Sequence, residues 1–112
     1  MDKEQSSSKK FLTPQSISDA LHYQEDSVVS RQLIHKSTGN VTLFAFAAGQ
    51  GLSEHTSPFD ALVMIIDGQA EVTVSGRTHE MKTGDILLLP ANNPHALQAV
   101  EPFKMVLTMI KG

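Results

Sequence analysis

Short strand-like runs separated by turn signals fill the chain from Val28 to its C-terminus, and this pattern constrains the fold most. Apolar and β-branched residues recur with the two-residue period of a β-strand, and glycine, asparagine or proline stands between the runs. No long helical period follows residue 25. About eight short strands at regular spacing predict an all-β sandwich or barrel. The predicted strands are VVSRQLI, VTLFAFA (41–47), ALVMIID (61–67), AEVTVS (70–75), RTHEMK, ILLLP, HALQAV and FKMVLTMI (103–110).

Two dipeptides are typical of tight hairpin turns, Asp67-Gly68 and Ser75-Gly76. Glycine readily adopts the positive φ that such turns require. We therefore predict a hairpin at Asp67-Gly68, with residues 70–75 as the return strand, and a second hairpin at Ser75-Gly76. Gly49-Gln50-Gly51 is predicted to be a flexible loop.

The N-terminal part of the chain differs in character. Residues 1–12 begin with the polar, serine-rich run MDKEQSSSKK and are predicted to be a disordered leader before one folded domain over 13–112. Pro14, with Thr13 as N-cap, predicts a short helix at the start of that domain. Its buried face would carry Ile17, Ala20 and Leu21.

Two predicted strands, VTLFAFA and ALVMII, are apolar on both faces. An antiparallel sheet commonly leaves one face in water, so the outer face of these strands needs a cover. We expect a homodimer in which the partner subunit provides it. The alternative is that the N-terminal segment covers this face alone.

Composition excludes several classes of protein. The 112-residue chain is 40% hydrophobic, which is enough for a core, and it has no cysteine for disulfides or thiolate metal sites. A formal net charge of -3 and scattered basic residues argue against a nucleic-acid partner. The longest apolar run, Ala61 to Ile66, is far shorter than the about 20 residues of a membrane span. No secretory signal is apparent, so we expect a cytoplasmic protein with no membrane partner.

Two isolated histidines, one in EHTSPFDALVMIIDG and one in LLLPANNPHAL, lie in stretches that resemble the two motifs of the cupin family. The resemblance covers roughly residues 40 to 110. It implies a small single-domain, RmlC-like cupin, which is a double-stranded β-helix or jelly-roll β-barrel. The matching positions are Gly49, His55 and Gly68 in the first motif and Gly84, Pro90 and His95 in the second.

The chain departs from the family at two of the four metal-binding positions. Cupins usually hold a metal through three histidines and one glutamate, and only His55 and His95 remain here. The resemblance therefore implies a degenerate metal site. Ser57 replaces the second histidine, and Ala61 replaces the glutamate. In the second motif, Asn92 replaces a glycine and Ala99 replaces an asparagine.

Strand alternation predicts where these side chains lie. Residues of one parity share a face, so the motif residues would line two facing walls of the barrel. This arrangement predicts a mostly apolar cavity in which His55, Ser57 and His95 bind a small molecule. One wall would carry His55, Ser57, Ala61, Val63 and Ile65, and the other His95, Leu97 and Ala99.

A metal at His55 and His95 would need further donors. A serine hydroxyl is a poor ligand for divalent metals, and the other nearby polar residues have the wrong parity or lie in another hairpin. We therefore expect no tightly bound metal, although a two-histidine site for zinc, nickel, manganese or iron stays open. The rejected donors are Glu54, Asp60, His79 and Gln98.

Three functions follow from these residues. The first is a small-molecule binding protein. The second is a metal-dependent cupin enzyme of the oxygenase or isomerase type with a two-histidine site. The third is metal-free acid–base catalysis by the histidine pair, which ranks last because the single tyrosine, Tyr23, lies outside the barrel strands. Packing and hydrogen bonding alone are the non-functional role of the two histidines, and the sequence leaves open whether the protein is an enzyme.

Overall fold

A computed structural model describes residues 11–112, and the predicted leader lies outside the described residues except for Phe11 and Leu12. One 3₁₀ turn precedes eight β-strands. The turn is Ile17–Asp19, and the strands are β1 (Val28–Lys36), β2 (Gly39–Phe46), β3 (Gly51–His55), β4 (Asp60–Val74), β5 (Arg77–Lys82), β6 (Ile86–Leu89), β7 (His95–Gln98) and β8 (Phe103–Ile110). No helix in this part of the chain is long and apolar enough to cross a membrane.

The long strand β4 belongs to two sheets whose apolar faces meet in one core. Its first half pairs antiparallel with β6 and β8, and its second half pairs antiparallel with β5 and β7. Strands β2 and β1 extend the first sheet beyond β8, and β3 extends the second sheet beyond β7. This curled antiparallel arrangement confirms the predicted jelly-roll β-barrel.

The predicted hairpin at Asp67-Gly68 is wrong, because the chain runs straight through these residues within β4. Ile65 and Asp67 pair with two consecutive residues of β8, so Ile66 is the extra residue of a β-bulge. Gly68 follows with a φ of 78°. A hairpin turn and a bulge both use glycine at positive φ, so the local sequence does not distinguish them. The hairpin predicted at Ser75-Gly76 does form, between β4 and β5.

The bulge in β4 reverses which residues face the core. Before it, the buried positions are the odd-numbered Ala61, Val63 and Ile65. After it, they are the even-numbered Ala70 and Val72. One extra residue therefore lets a single strand serve both sheets with its apolar side always inward.

Strand β3 is not among the predicted strands. Its sequence, GLSEH, is short and largely exposed, and it lacks the apolar alternation that marks a half-buried strand. Pairing with β7 holds this segment in the extended conformation, since Gly51 pairs with Gln98 and Leu52 with Leu97. Eight strands were predicted and eight form among the described residues. The numbers agree only because the predicted strands 61–67 and 70–75 are one strand, β4, while β3 was not predicted.

The predicted N-terminal helix is reduced to the 3₁₀ turn. Thr13 does not cap it, because the turn begins at Ile17 and its N-cap position is Ser16, whose side chain makes no capping hydrogen bond. Ile17 is 45% exposed, whereas Ala20 and Leu21 are buried as predicted.

We call residues 11–27 the N-terminal arm, because this segment lies across part of the outer face of the first sheet. Its backbone is held by two cations of the sheet. Lys104 Nζ donates to the Ser18 carbonyl at 2.9 Å, and Arg31 Nη1 donates to the Ala20 carbonyl at 3.1 Å. The apolar cluster between arm and sheet consists of Ala20, Leu21, Leu43 and Ala45, with Phe11, Tyr23, Val29, Leu33 and Val106 packed against them.

The outer face of β4 and β6 presents four large apolar side chains to solvent, which we call the outer apolar patch. Leu62 lies opposite Leu88 in register, and Met64 lies opposite Ile86. Their exposed fractions are 37%, 56%, 39% and 64%, respectively. The arm therefore covers only part of the outer face.

The main core lies between the concave faces of the two sheets. Phe46 and Phe103 stack at its centre with ring centroids 4.5 Å apart. The buried residues of this core are Phe46, Ala61, Val63, Ile65, Ala70, Val72, Met81, Leu89, Leu97, Ala99, Phe103 and Met105.

Candidate functional site

His55 and His95 meet on the concave face of the second sheet. His55 ends β3, His95 begins β7, and the two residues are directly opposite in the antiparallel register. Their ring centroids are 4.4 Å apart, with an interplanar angle of 69°. The two motifs therefore deliver their histidines to one place, but as neighbours on one sheet and not on the two facing walls that were predicted. A ligand role for the pair remains a prediction.

The hydrogen bonds of the two rings fix the same tautomer in both. His55 Nδ1 lies 2.7 Å from the Ser53 carbonyl oxygen, and His95 Nδ1 lies 3.2 Å from the Asn93 carbonyl oxygen. A carbonyl only accepts, so each Nδ1 carries the proton and donates it. Each neutral ring then has its lone pair on Nε2. Neither Nε2 has a hydrogen-bond partner within residues 11–112.

Burial keeps His95 neutral. Its side chain is 7% exposed, and the pKa of His95 lies below its ordinary value chiefly because burial disfavours the charged ring. The hydrogen bond to Asn93 opposes this shift, and the neighbouring His55 adds to it. His95 therefore presents a hydrogen-bond acceptor at neutral pH.

Ser57 lies in the connection between β3 and β4. Its hydroxyl oxygen accepts a hydrogen bond from the Phe59 backbone N–H at 3.1 Å, and its carbonyl accepts one from the Asn92 N–H at 2.7 Å. Ser57 thus joins the loops that follow β3 and precede β7. Its hydroxyl proton is not donated to any described residue.

The other motif positions at which this chain departs from the family have structural roles here. Ala61 and Ala99 are buried in the main core, and no carboxylate stands at the glutamate position. Asn92 has a φ of 67°, a conformation that asparagine tolerates better than most residues, so it replaces the family's glycine with little strain. Asp60 accepts the Ala91 N–H at 2.8 Å.

A complete metal site is not assembled among residues 11–112. No group of three or more His, Cys, Asp or Glu side chains lies close enough there to hold an ion. Two imidazoles with free Nε2 lone pairs are part of a donor set, but four-coordinate metal sites in proteins take three or four protein ligands. The residues present therefore do not fit the metal centre that the fold family implies.

The register places two further residues of β5 on this face: Arg77, which the sequence did not single out, and His79, which was rejected as a donor because it lies in another hairpin. Arg77 lies opposite Val74 of β4, which lies opposite His95, and His79 lies opposite Val72. Directly opposed residues project from the same face of a sheet, so both belong to the concave face. Sequence reasoning missed them because the bulge at Ile66 decides which residues of β4 and β5 face inward.

A family profile and several solved structures are similar to this chain. The sequence profile of the Cupin_2 family, described as the cupin domain, matches residues 42–111. No match was found among curated proteins.

Three solved structures resemble the structure of this chain. A conserved protein of unknown function from Streptococcus pyogenes is 34% identical, with a TM-score of 0.86 over 89% of this chain and 88% of that one. A cupin superfamily protein from Desulfitobacterium hafniense is 27% identical, with a TM-score of 0.85 over 89% of this chain and 92% of that one. A Cupin 2 conserved barrel domain protein from Leptotrichia buccalis is 38% identical, with a TM-score of 0.82 over 85% of this chain and 46% of that one. None of the three descriptions names a ligand or a reaction.

Proposed function

This chain belongs to the cupin family, and from that premise we propose that it binds a small molecule on the concave face of its barrel. His55 and His95 are its main polar contacts, and Ser57 contributes a hydroxyl. The observation that carries this proposal is the pair of in-register imidazoles, both fixed in the tautomer that leaves Nε2 as a free acceptor.

The surroundings of the pair support binding. Ligand sites are mostly apolar surfaces with a few convergent polar groups. Here two acceptors stand beside Leu52, Leu97 and Val74, which belong to the main core or pack against it. A ligand with an apolar body and hydrogen-bond donors at one end matches these contacts.

A metal-dependent oxygenase or isomerase is the alternative function. The tautomers favour it, because metal-binding histidines usually donate the other ring N–H to a carbonyl or carboxylate. The donor set counts against it, since no third ligand accompanies His55 and His95 in residues 11–112. We therefore derive no reaction step through a metal.

Metal content separates the two functions. Untagged protein purified without chelator is analysed by inductively coupled plasma mass spectrometry, beside the His55→Gln/His95→Gln double variant and His22→Gln as a control on an exposed histidine of the arm. We expect no stoichiometric zinc, nickel, manganese or iron in any of the three. A stoichiometric metal in wild type and His22→Gln, lost in the double variant, would show a metal site at the pair and favour the alternative over the metal-free proposal.

Ligand binding is tested with a fragment library on ¹⁵N-labelled full-length protein. We expect fragments with an apolar body and a hydroxyl or N–H donor to shift the imidazole resonances of His55 and His95. His55→Gln should weaken these fragments, and His22→Gln should not. If fragments bind only elsewhere, or not at all, the concave face is not a binding site and the proposal fails.

The outer apolar patch supports a second proposal, a homodimer. Its four exposed side chains are neighbours on paired strands and form a continuous apolar surface of the kind that marks interaction sites. The ten residues before Phe11 carry no large apolar side chain except Met1, so their sequence offers little to cover it. We infer that a second copy of the chain covers the patch by a two-fold, self-complementary contact.

The cytoplasm is the proposed location of this protein. The support is the absence of cysteine from the sequence, which suits a reducing compartment. Fractionation of cells that express the native protein tests it.

A further inference from the structure

We propose that the ligand of the concave face is a small carboxylic acid, with its carboxylate bound by Arg77 and a hydrogen-bond donor at its other end bound by the histidine pair. This inference rests on the proposed function and names the chemical class of its ligand.

The register lines up four residues across the second sheet. His55, His95, Val74 and Arg77 follow one another on β3, β7, β4 and β5, each directly opposite the next. Opposed residues share a face, and the burial of Val72 shows that this face points to the core. The row therefore has two acceptors at one end, an apolar residue in the middle and a guanidinium at the other end.

The carboxylates paired in this sheet lie on its convex face, where Lys82 also lies. The concave rows in register contain Arg77 and three histidines but no Asp or Glu. On the convex face, Glu71 lies directly opposite Glu80. A chain with a formal charge of -3 therefore keeps these carboxylates off the face that carries its arginine. This separation favours an anionic ligand on the concave face.

Arg77 is available to such a ligand. It is exposed, and within residues 11–112 it makes no ion pair and no hydrogen bond through its side chain. A guanidinium presents paired N–H donors that match the two oxygens of a carboxylate. His79, two residues along on the same face, adds a second nitrogen donor or acceptor beside it.

The spacing sets the size of the ligand. Neighbouring strands lie about 4.8 Å apart, so the backbones at His95 and Arg77 are separated by roughly 10 Å. The arginine side chain reaches over part of this distance. The remaining distance between the guanidinium and the imidazoles fits a short aliphatic acid lying over Val74. A hydroxyl or N–H at the far end of the acid would donate to the free Nε2 atoms.

Matched probes test the inference on full-length ¹⁵N-labelled protein. The probes are ω-hydroxyhexanoate, hexanoate and hexanediol, which remove the hydroxyl or the carboxylate in turn. The variants are Arg77→Gln and, as control, Lys82→Gln, which removes the same charge from the convex face of the same strand. Dissociation constants come from the resonances of His55, His95 and the β5 amides.

We expect ω-hydroxyhexanoate to bind most tightly, and Arg77→Gln to weaken both carboxylates about tenfold while leaving hexanediol unchanged. Lys82→Gln should have little effect on any probe. If hexanediol binds as well as the acids, or both variants weaken the acids equally, the carboxylate inference is overturned and the proposed function stands. If no probe shifts the histidine resonances and the fragment library also fails, both are overturned.

Discussion

The Tyr23 hydroxyl donates to Asp67 Oδ2 at 2.5 Å across a sequence separation of 44 residues. This bond joins the N-terminal arm to the bulged segment of β4. Lys104 lies opposite Asp67 in register and places its Nζ 4.9 Å from the centre of the Tyr23 ring. The pKa of Tyr23 is raised, first by burial and then by Asp67, so the hydroxyl keeps its proton for this bond.

Tyr23→Phe should therefore loosen the arm. The phenyl ring keeps its packing but loses the hydrogen bond, so we expect the free energy of unfolding to fall by about 1 kcal/mol. Urea denaturation measures the loss, and a double-mutant cycle with Asp67→Ala isolates the pair. Fully additive losses would show that the two residues do not interact.

Gly68→Ala should be among the most damaging single changes. A Cβ at Gly68 would lie 2.1 Å from the Pro102 carbonyl oxygen, and the backbone there has a φ of 78°. We expect a loss of about 3 kcal/mol or more in unfolding free energy. Gly76→Ala is the matched control, since its φ is 82° but nothing lies within 4 Å of the added Cβ, and it should cost about 1 kcal/mol. Equal losses in urea denaturation would mean that the backbone beside Gly68 gives way.

His95 should make folding sensitive to acid. The pKa of His95 is lowered in the folded protein, so below about pH 6.5 the unfolded chain binds the proton more readily than the folded one. The free energy of unfolding should fall as pH drops through about 6.5 and level off below the folded pKa. His95→Gln should have a shallower slope over this range in urea denaturation, whatever its absolute stability. NMR titration of the His95 ring checks the direction of the shift, and a ring that titrates above pH 6.5 would contradict this account.

Leu88→Glu should separate the proposed dimer. A carboxylate at this position puts unpaired charge into a contact between apolar surfaces, whereas in the monomer the side chain is already 56% exposed and the change should cost little. Multi-angle light scattering should give twice the 12.2 kDa chain mass for wild type and the single mass for the variant. Val100→Glu, at a 67% exposed site outside the patch, should remain dimeric. A monomeric wild type would contradict the proposed homodimer.

The sequence was sufficient to predict the barrel and the meeting of His55 with His95. Strand alternation and turn residues predict only an all-β sandwich or barrel. The jelly-roll form and the meeting of the two histidines are what the resemblance of the two motifs to the cupin family implies. The burial of Ala61, Val63, Ile65, Leu97 and Ala99 agrees with their predicted inward parity.

The bulge at Ile66 is what the sequence did not predict. A two-residue turn and a one-residue insertion both place glycine at positive φ, and only pairing with β8 decides between them. Since the bulge sets the inward parity of β4 beyond it, the placement of Arg77 and His79 depends on it. Strand β3 was missed for a related reason: it is held as a strand by pairing with β7, and its own side chains carry no strand pattern.

The shared strand β4 also has a consequence for folding. Because its two halves hydrogen-bond to β5, β6, β7 and β8, β4 is an interior strand of both sheets, and neither sheet can open without disturbing the other. The pairing of Gly39 with Ile110 links segments that are far apart in sequence, which costs loop-closure entropy before it gains contacts. Such topologies fold slowly, on the order of milliseconds to seconds. Amide exchange along β4 should therefore report one cooperative opening of the whole barrel, so that a ligand held at one end slows exchange at the other.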